Sequence, residues 1–189
     1  MRVWLLTNTT YATWLPGNPK GSVTSVRDRR EGDPASAARA EHALPGTPYD
    51  GGIPGLARHA AAAAGEPVFL TPDQAAAVAG QFRETAAYRG WAPLALAVMA
   101  NHFHAVLRVE GDPDPHKLLY DLKAYGTRAL NSGLGRRKRW WATGGSVRKL
   151  SDGAAVAAGV NYVLRKQWRP LALWPAAPGE PESVSARSP

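Results

Sequence analysis

Two histidines one residue apart, in Asn101-His102-Phe103-His104, stand inside the apolar run from Ala95 to Val109. Alternate side chains of a β-strand share a face, so His102 and His104 would project together, about 6.6 Å apart along the backbone. Val106 and Arg108 continue that face, while Phe103, Ala105, Leu107 and Val109 point the other way, into a core. Two neutral imidazoles aimed at one point make half of a site for a divalent metal. A His-x-His pair taken alone is more often an exposed strand face. The flanking apolar alternation and the basic chain downstream favour the ligand reading here.

A divalent cation held by two imidazoles and an oxygen ligand can polarise a phosphodiester. The nucleophile must then come from water or from a side chain. Tyr120, Tyr125 and Tyr162 all fall in segments with helical patterning. A tyrosine attacking phosphorus leaves a phosphotyrosyl intermediate, which conserves bond energy and permits rejoining. Tyr162 lies on the last of these helices with Gln167 five residues on, so an amide could reach the same metal. Tyr125, between Leu122 and Leu130, reads more easily as core, and spacing alone also favours Tyr162 as a packed aromatic over a nucleophile.

Lys+Arg number 23 and Asp+Glu 15, a net charge of +8. Such an excess points to a polyanionic partner, nucleic acid first and an anionic membrane surface second. Arg136-Arg137-Lys138-Arg139-Trp140-Trp141 sets four cations against two indoles, which suits phosphate contact with base stacking. Both indoles cannot face inward on a strand, so Trp140 becomes a candidate stacking surface. Lys117, Lys123 and Arg128 lie on the polar face of the preceding helix, and Lys166 ends the last one. No apolar run approaches the roughly 20 residues that a membrane-spanning helix requires. Met1-Arg2-Val3-Trp4-Leu5-Leu6 is too short for a signal peptide. The chain has no cysteine, which excludes disulfides and thiolate metal sites and makes cytoplasm the default location.

The elements that must position these groups follow from patterning. Arg2–Thr10 reads as a first strand. Residues 18–66, with five prolines and Gly51-Gly52, read as a long inserted loop with short helices over 35–42 and 58–64 and with Arg27, Arg29 and Arg30 as possible phosphate contacts. Thr71-Pro72-Asp73-Gln74 carries the cap, first-turn proline and reciprocal glutamine of a helix start, and that helix runs to about Tyr88. Strands are expected over 91–100 and 102–109, a helix over 116–131, a short strand over 146–150 and a helix over 153–167. The order β, loop, α, β, β, α, β, α predicts an α+β, ferredoxin-like sandwich, a small antiparallel sheet with helices on one side. Residues 1–170 form the expected single catalytic domain, and 171–189 a disordered tail.

Several stretches together resemble the HUH single-tyrosine transposases, and among them the REP-associated tyrosine transposases. The metal motif is Asn101-His102-Phe103-His104. The amino-terminal signature is Thr10-Tyr11-Ala12-Thr13-Trp14-Leu15-Pro16-Gly17 with Gly21-Ser22-Val23, and the middle helix is Leu122 to Leu130. The end is Trp141, Gly144-Gly145-Ser146 and Asn161-Tyr162-Val163-Leu164-Arg165-Lys166-Gln167. The resemblance spans most of residues 4–168. It implies a domain that cuts one DNA strand near a hairpin with Mg²⁺ or Mn²⁺. His102 and His104 map to metal ligands, Tyr162 to the nucleophile of a 5′-phosphotyrosine, and Gln167 to the third ligand. Insertion-sequence relatives place that glutamine four residues after the tyrosine, where this chain has Lys166. The expected partner is single-stranded or hairpin DNA, and both a homodimer that exchanges the tyrosine helix and a monomer fit the resemblance. The alternative is a hairpin-binding or repressor protein that keeps the fold without cutting.

Overall fold

The computed structural model describes residues 1–15, 17–18, 54–133, 137 and 139–175. The expectations for Arg27, Arg29, Arg30, the helix over 35–42, Gly21-Ser22-Val23, Arg136, Lys138 and the tail beyond 175 lie outside the described residues. The chain divides into two compact units, Ala12–Pro67 and Met1–Tyr11 with Val68–Pro189.

Strand β1 is Arg2–Thr9. Helix α1, Pro54–Ala64, belongs to the Ala12–Pro67 unit. Its carboxy-terminal half is five consecutive alanines, the strongest helix formers. Gly65 ends it at φ 77, a left-handed turn that glycine takes without steric cost.

The other unit continues with α2 (Pro72–Tyr88), β2 (Ala92–Val98), β3 (His102–Val109), α3 (Pro115–Asn131), β4 (Ser146–Lys149), α4 (Gly153–Arg165) and β5 (Ala172–Trp174). Thr71 caps α2 in a complete capping box with Gln74, and Pro72 occupies the first turn. Asp114 and Asp152 cap α3 and α4 through their carboxylates. The sheet order is β4-β1-β3-β2-β5, antiparallel throughout. The first four strands with α2 and α3 make the β-α-β-β-α-β arrangement predicted from the sequence. Among the described residues, no helix is long and apolar enough to cross a membrane.

Strand parity decides the layers. Leu6, Leu96, Val98, Phe103, Ala105, Leu107 and Val109 face α2 and α3 and meet Val78, Phe82, Leu118, Leu122 and Leu130. Phe103 stacks edge-on to Phe82 and to Trp141, with ring centroids 4.8 and 5.4 Å apart. Such edge-to-face pairs add to the energy of area burial. Gly126 lets α3 come this close: a Cβ there would stand 2.9 Å from Phe82 Cε1.

Three expectations are corrected. The helices do not all lie on one side: α4 covers the opposite face, where Val163 packs with Ala95, Ala97, Met99, Val106 and Leu150. The cause is that β3 is central, so its second face also carries buried apolar side chains and needs its own cover. Chain from 171 is not all tail, because Leu171 N–H donates to Val98 O at 2.8 Å and β5 pairs with the β2 edge. Three residues before a proline carry too little pattern to show as a strand. The last helix also stops at Arg165, two residues earlier than its apolar spacing suggests.

Candidate active site

The two histidines sit at the start of β3, where Thr7 of β1 and Ala97 of β2 stand opposite His104 and Thr9 stands opposite His102. Ala97 leaves room for the ring on that face. The β2–β3 turn is held from outside: Thr10 donates its N–H to Asn101 O at 2.8 Å and its hydroxyl to the same oxygen at 3.1 Å. Asn101 Oδ1 in turn lies 2.6 Å from His102 Nδ1, and Thr7 Oγ1 lies 2.6 Å from His104 Nδ1. A carboxamide oxygen can only accept, so His102 carries its proton on Nδ1 and keeps the Nε2 lone pair free. A threonine hydroxyl both accepts and donates; in the tautomer where Thr7 accepts, both imidazoles present Nε2, the arrangement by which outer hydrogen bonds orient metal-binding histidines. The ring centroids are 5.0 Å apart.

Burial holds both histidines below the usual imidazole value. His104 falls to about 4, mainly by desolvation and further by the neighbouring His102, with a hydrogen bond to Gln167 opposing. His102 is lowered by desolvation against a hydrogen bond to the same Gln167. Both rings are therefore neutral at physiological pH, the state in which nitrogen can ligate.

Helix α4 brings the remaining groups. Asp152 Oδ1 accepts from Ala155 N–H at 2.8 Å and fixes its start. Gly159 and Val163 are its buried contacts, and a Cβ at Gly159 would come within 2.8 Å of Leu150 Cδ1. One residue before Val163, Tyr162 turns its ring to 5.2 Å from the His104 ring at 71°, with 42% of its surface exposed. Lys166 ends the helix at φ −108, and Gln167 lies beyond it. The Gln167 side-chain Nε2 donates to Tyr162 O at 3.0 Å, and the same side chain hydrogen-bonds with both imidazoles. The helix end thus accommodates the five-residue offset. Tyr162, His102, His104 and Gln167 come together within one chain.

Among the described residues, no group of three or more His, Cys, Asp or Glu side chains is placed to hold a metal. A cation here would rely on two imidazole nitrogens and the Gln167 amide oxygen. Two imidazole nitrogens and one amide oxygen are neutral donors, so they would leave the full charge of a bound ion for an anionic ligand.

No protein-family model matches this sequence, and no curated protein matches it. Among solved structures, the chain is similar to one described as a REP-associated tyrosine transposase bound to a REP hairpin, 14% identical over 86% of this chain with a TM-score of 0.47. This chain spans 64% of that one's length.

The expected DNA contacts fare differently. Trp140 is 2% and Trp141 8% exposed, so the reading of Trp140 as a stacking surface is corrected. Among the described residues the pairing here is a single bridge, Trp141 to Thr10, with Tyr11 N–H donating to Trp140 O and Ala142 N–H to Thr9 O, rather than a strand whose alternate side chains must take opposite faces. The Trp140 indole N–H donates to Asn131 Oδ1 at 2.8 Å, and that of Trp141 to Lys123 O and Thr127 Oγ1, each at 3.1 Å. Lys123 is likewise no free phosphate contact. Its Nζ donates to Ala142 O at 2.7 Å and Gly144 O at 2.8 Å, and burial lowers its pKa to about 8. Arg128 stacks 4.7 Å over Tyr125. Tyr120 and Tyr125 ride on α3, across the sheet from the histidines. Arg137, Arg139 and Lys166 are exposed.

Sequence reasoning missed Thr7, whose part follows only from strand register, and Trp168, an exposed indole directly after Gln167. Asn101 was within the motif, but nothing local assigned it the His102 ring.

Proposed function

We propose that this protein is a metal-dependent single-stranded DNA endonuclease and strand transferase that forms a 5′-phosphotyrosine through Tyr162 at hairpin-flanked sites. The observation that carries the reading is the approach of the Tyr162 ring to 5.2 Å from His104 in the same chain, with Gln167 against both imidazoles. His102, His104 and Gln167 would hold Mg²⁺ or Mn²⁺, which supplies positive charge at the scissile phosphate. The Tyr162 phenol oxygen attacks phosphorus, the new P–O bond forms as the bond to the 3′-oxygen breaks, and the 3′-hydroxyl leaves with a proton. The phenol proton passes to water, to which Tyr162 is open. The reverse attack by a 3′-hydroxyl reseals or transfers the strand, because the phosphodiester energy is kept in the tyrosyl ester. A site completed within one chain supports action as a monomer. Single-stranded or hairpin DNA as the partner rests on the motif resemblance together with the net charge of +8.

The test is incubation with labelled hairpin DNA from the gene's own flanks, with Mn²⁺ or EDTA, resolved on a denaturing gel. A metal-dependent protein–DNA band is expected, absent in Tyr162→Phe and in His102→Ala. Binding of flanking hairpins with no covalent band under any metal would replace this reading with a non-cutting hairpin-binding protein.

A further inference from the structure

The most exposed tryptophan among the described residues is Trp168, at 78%, and neither side of the core uses it. It follows Gln167 directly, so the residue that touches both imidazoles also anchors the indole's backbone. Two residues further on from Arg169, the Leu171 N–H donates to Val98 O at 2.8 Å and commits the chain to β5. Trp168 is therefore held between two fixed points.

Arg169 makes the turn between them at φ 50, a left-handed backbone that a residue with a Cβ adopts at a cost. That turn brings its guanidinium carbon 4.6 Å from the Trp168 ring centroid. One face of the indole is thus backed by a cation. Arg165 and Lys166 are exposed just before it, and the sequence from Gly153 to Pro175 contains no acidic residue. An exposed indole among cations, with no carboxylate near it in sequence, is matched by a flat ring carried on a phosphate chain. An apolar protein surface would make no use of the cations. Bases of any identity stack on an aromatic ring, and an arginine adds cation–π attraction.

We infer that Trp168, backed by Arg169, is the stacking platform for a nucleobase of the strand whose phosphate lies at Tyr162. The inference rests on the proposed action on single-stranded DNA. It moves the stacking residue from Trp140, which is buried, to the turn that follows the candidate ligand Gln167.

The test measures binding in EDTA, so it does not depend on cleavage. The probes are a fluorescein-labelled fifteen-nucleotide oligothymidine and the same strand built of abasic sites, read by anisotropy at low salt. Wild type should prefer the strand with bases. Trp168→Ala should weaken binding to that strand by roughly 5- to 100-fold and leave the abasic strand unchanged, and Trp168→Phe should restore most of the loss. Equal weakening on both strands, or no change on either, overturns the platform while leaving the DNA reading in place. Failure of wild type to bind either strand overturns both. A changed elution volume for Trp168→Ala on size exclusion would make the indole a contact between copies of the chain and would also overturn it.

Discussion

Phe103 and His104 are neighbours in sequence, both buried, and they serve opposite faces of the same sheet. The Phe103 face is closed by α2 and α3 with large side chains, Phe82, Trp141, Leu118 and Leu122, meeting edge to face. The His104 face is built from Ala95, Ala97 and Val106 under a single helix, and it ends in polar groups, with Thr7 and Asn101 each 2.6 Å from an imidazole Nδ1. On the first face, apolar area removed from water holds the structure. On the second, small residues let α4 approach while Thr7, Asn101 and Gln167 keep two neutral rings in place. The alternation of one strand separates what stabilises the protein from what would do its chemistry.

The largest effect should come from breaking the closed face. Phe103→Ala removes a ring fully enclosed between Phe82 and Trp141, and such truncations cost about 3–5 kcal/mol. Urea denaturation should show this as a lower midpoint. His104→Ala should abolish metal-dependent covalent attachment while shifting that midpoint less, since the ring it removes is smaller and polar and its hydrogen bond to Thr7 contributes only modest net stability. If the two variants changed places, with His104→Ala unfolding the protein and Phe103→Ala losing only attachment, the division of labour between the faces would be wrong.

A smaller effect isolates orientation from ligation. Thr7→Val keeps the shape of the side chain and removes the oxygen 2.6 Å from His104 Nδ1. Loss of such an outer hydrogen bond typically costs about 10- to 100-fold in metal affinity. Titration calorimetry with Mn²⁺ should show that loss, with recovery in Thr7→Ser and a change in unfolding free energy from urea of no more than about 1 kcal/mol. Unchanged affinity in Thr7→Val would mean that packing alone sets the ring.

What the sequence revealed divides along the same line. The parity of β3 was readable because alternation is local, and the start of α2 was readable because Thr71, Pro72 and Gln74 carry the cap within one turn. Contacts between distant residues were not readable. The carbonyls that hold Lys123 lie 19 and 21 residues away, and no pattern in α3 distinguishes a clamped lysine from a solvated one. Trp140 and Trp141 misled because strand alternation was applied where the structure has a single bridge, Thr10 to Trp141. Spacing alone left Tyr120, Tyr125 and Tyr162 as alternatives. The topology separates them by placing α3 and α4 on opposite faces, which no local signal announced.

The smallest effect separates the faces by titration rather than by loss. His104 is held near 4 by burial, whereas an unfolded chain protonates the same ring near 6.5. Above pH 6.5 both states carry it neutral and it contributes no pH dependence. Between 6.5 and 4 the unfolded chain takes up a proton that the folded chain refuses, so stability falls as the pH falls. His102 is shifted in the same direction and adds to the slope. The loss from pH 7 to pH 5 should be on the order of 1–2 kcal/mol, measured in EDTA from the thermal midpoint. Phe103→Leu should lower the whole curve and leave its slope alone, because nothing on the closed face near it titrates in this range. His104→Asn should flatten the slope whatever it does to the midpoint at pH 7. Parallel curves for wild type and His104→Asn would show that the acid limb arises elsewhere, and the buried imidazole would then be less desolvated than its place under α4 implies.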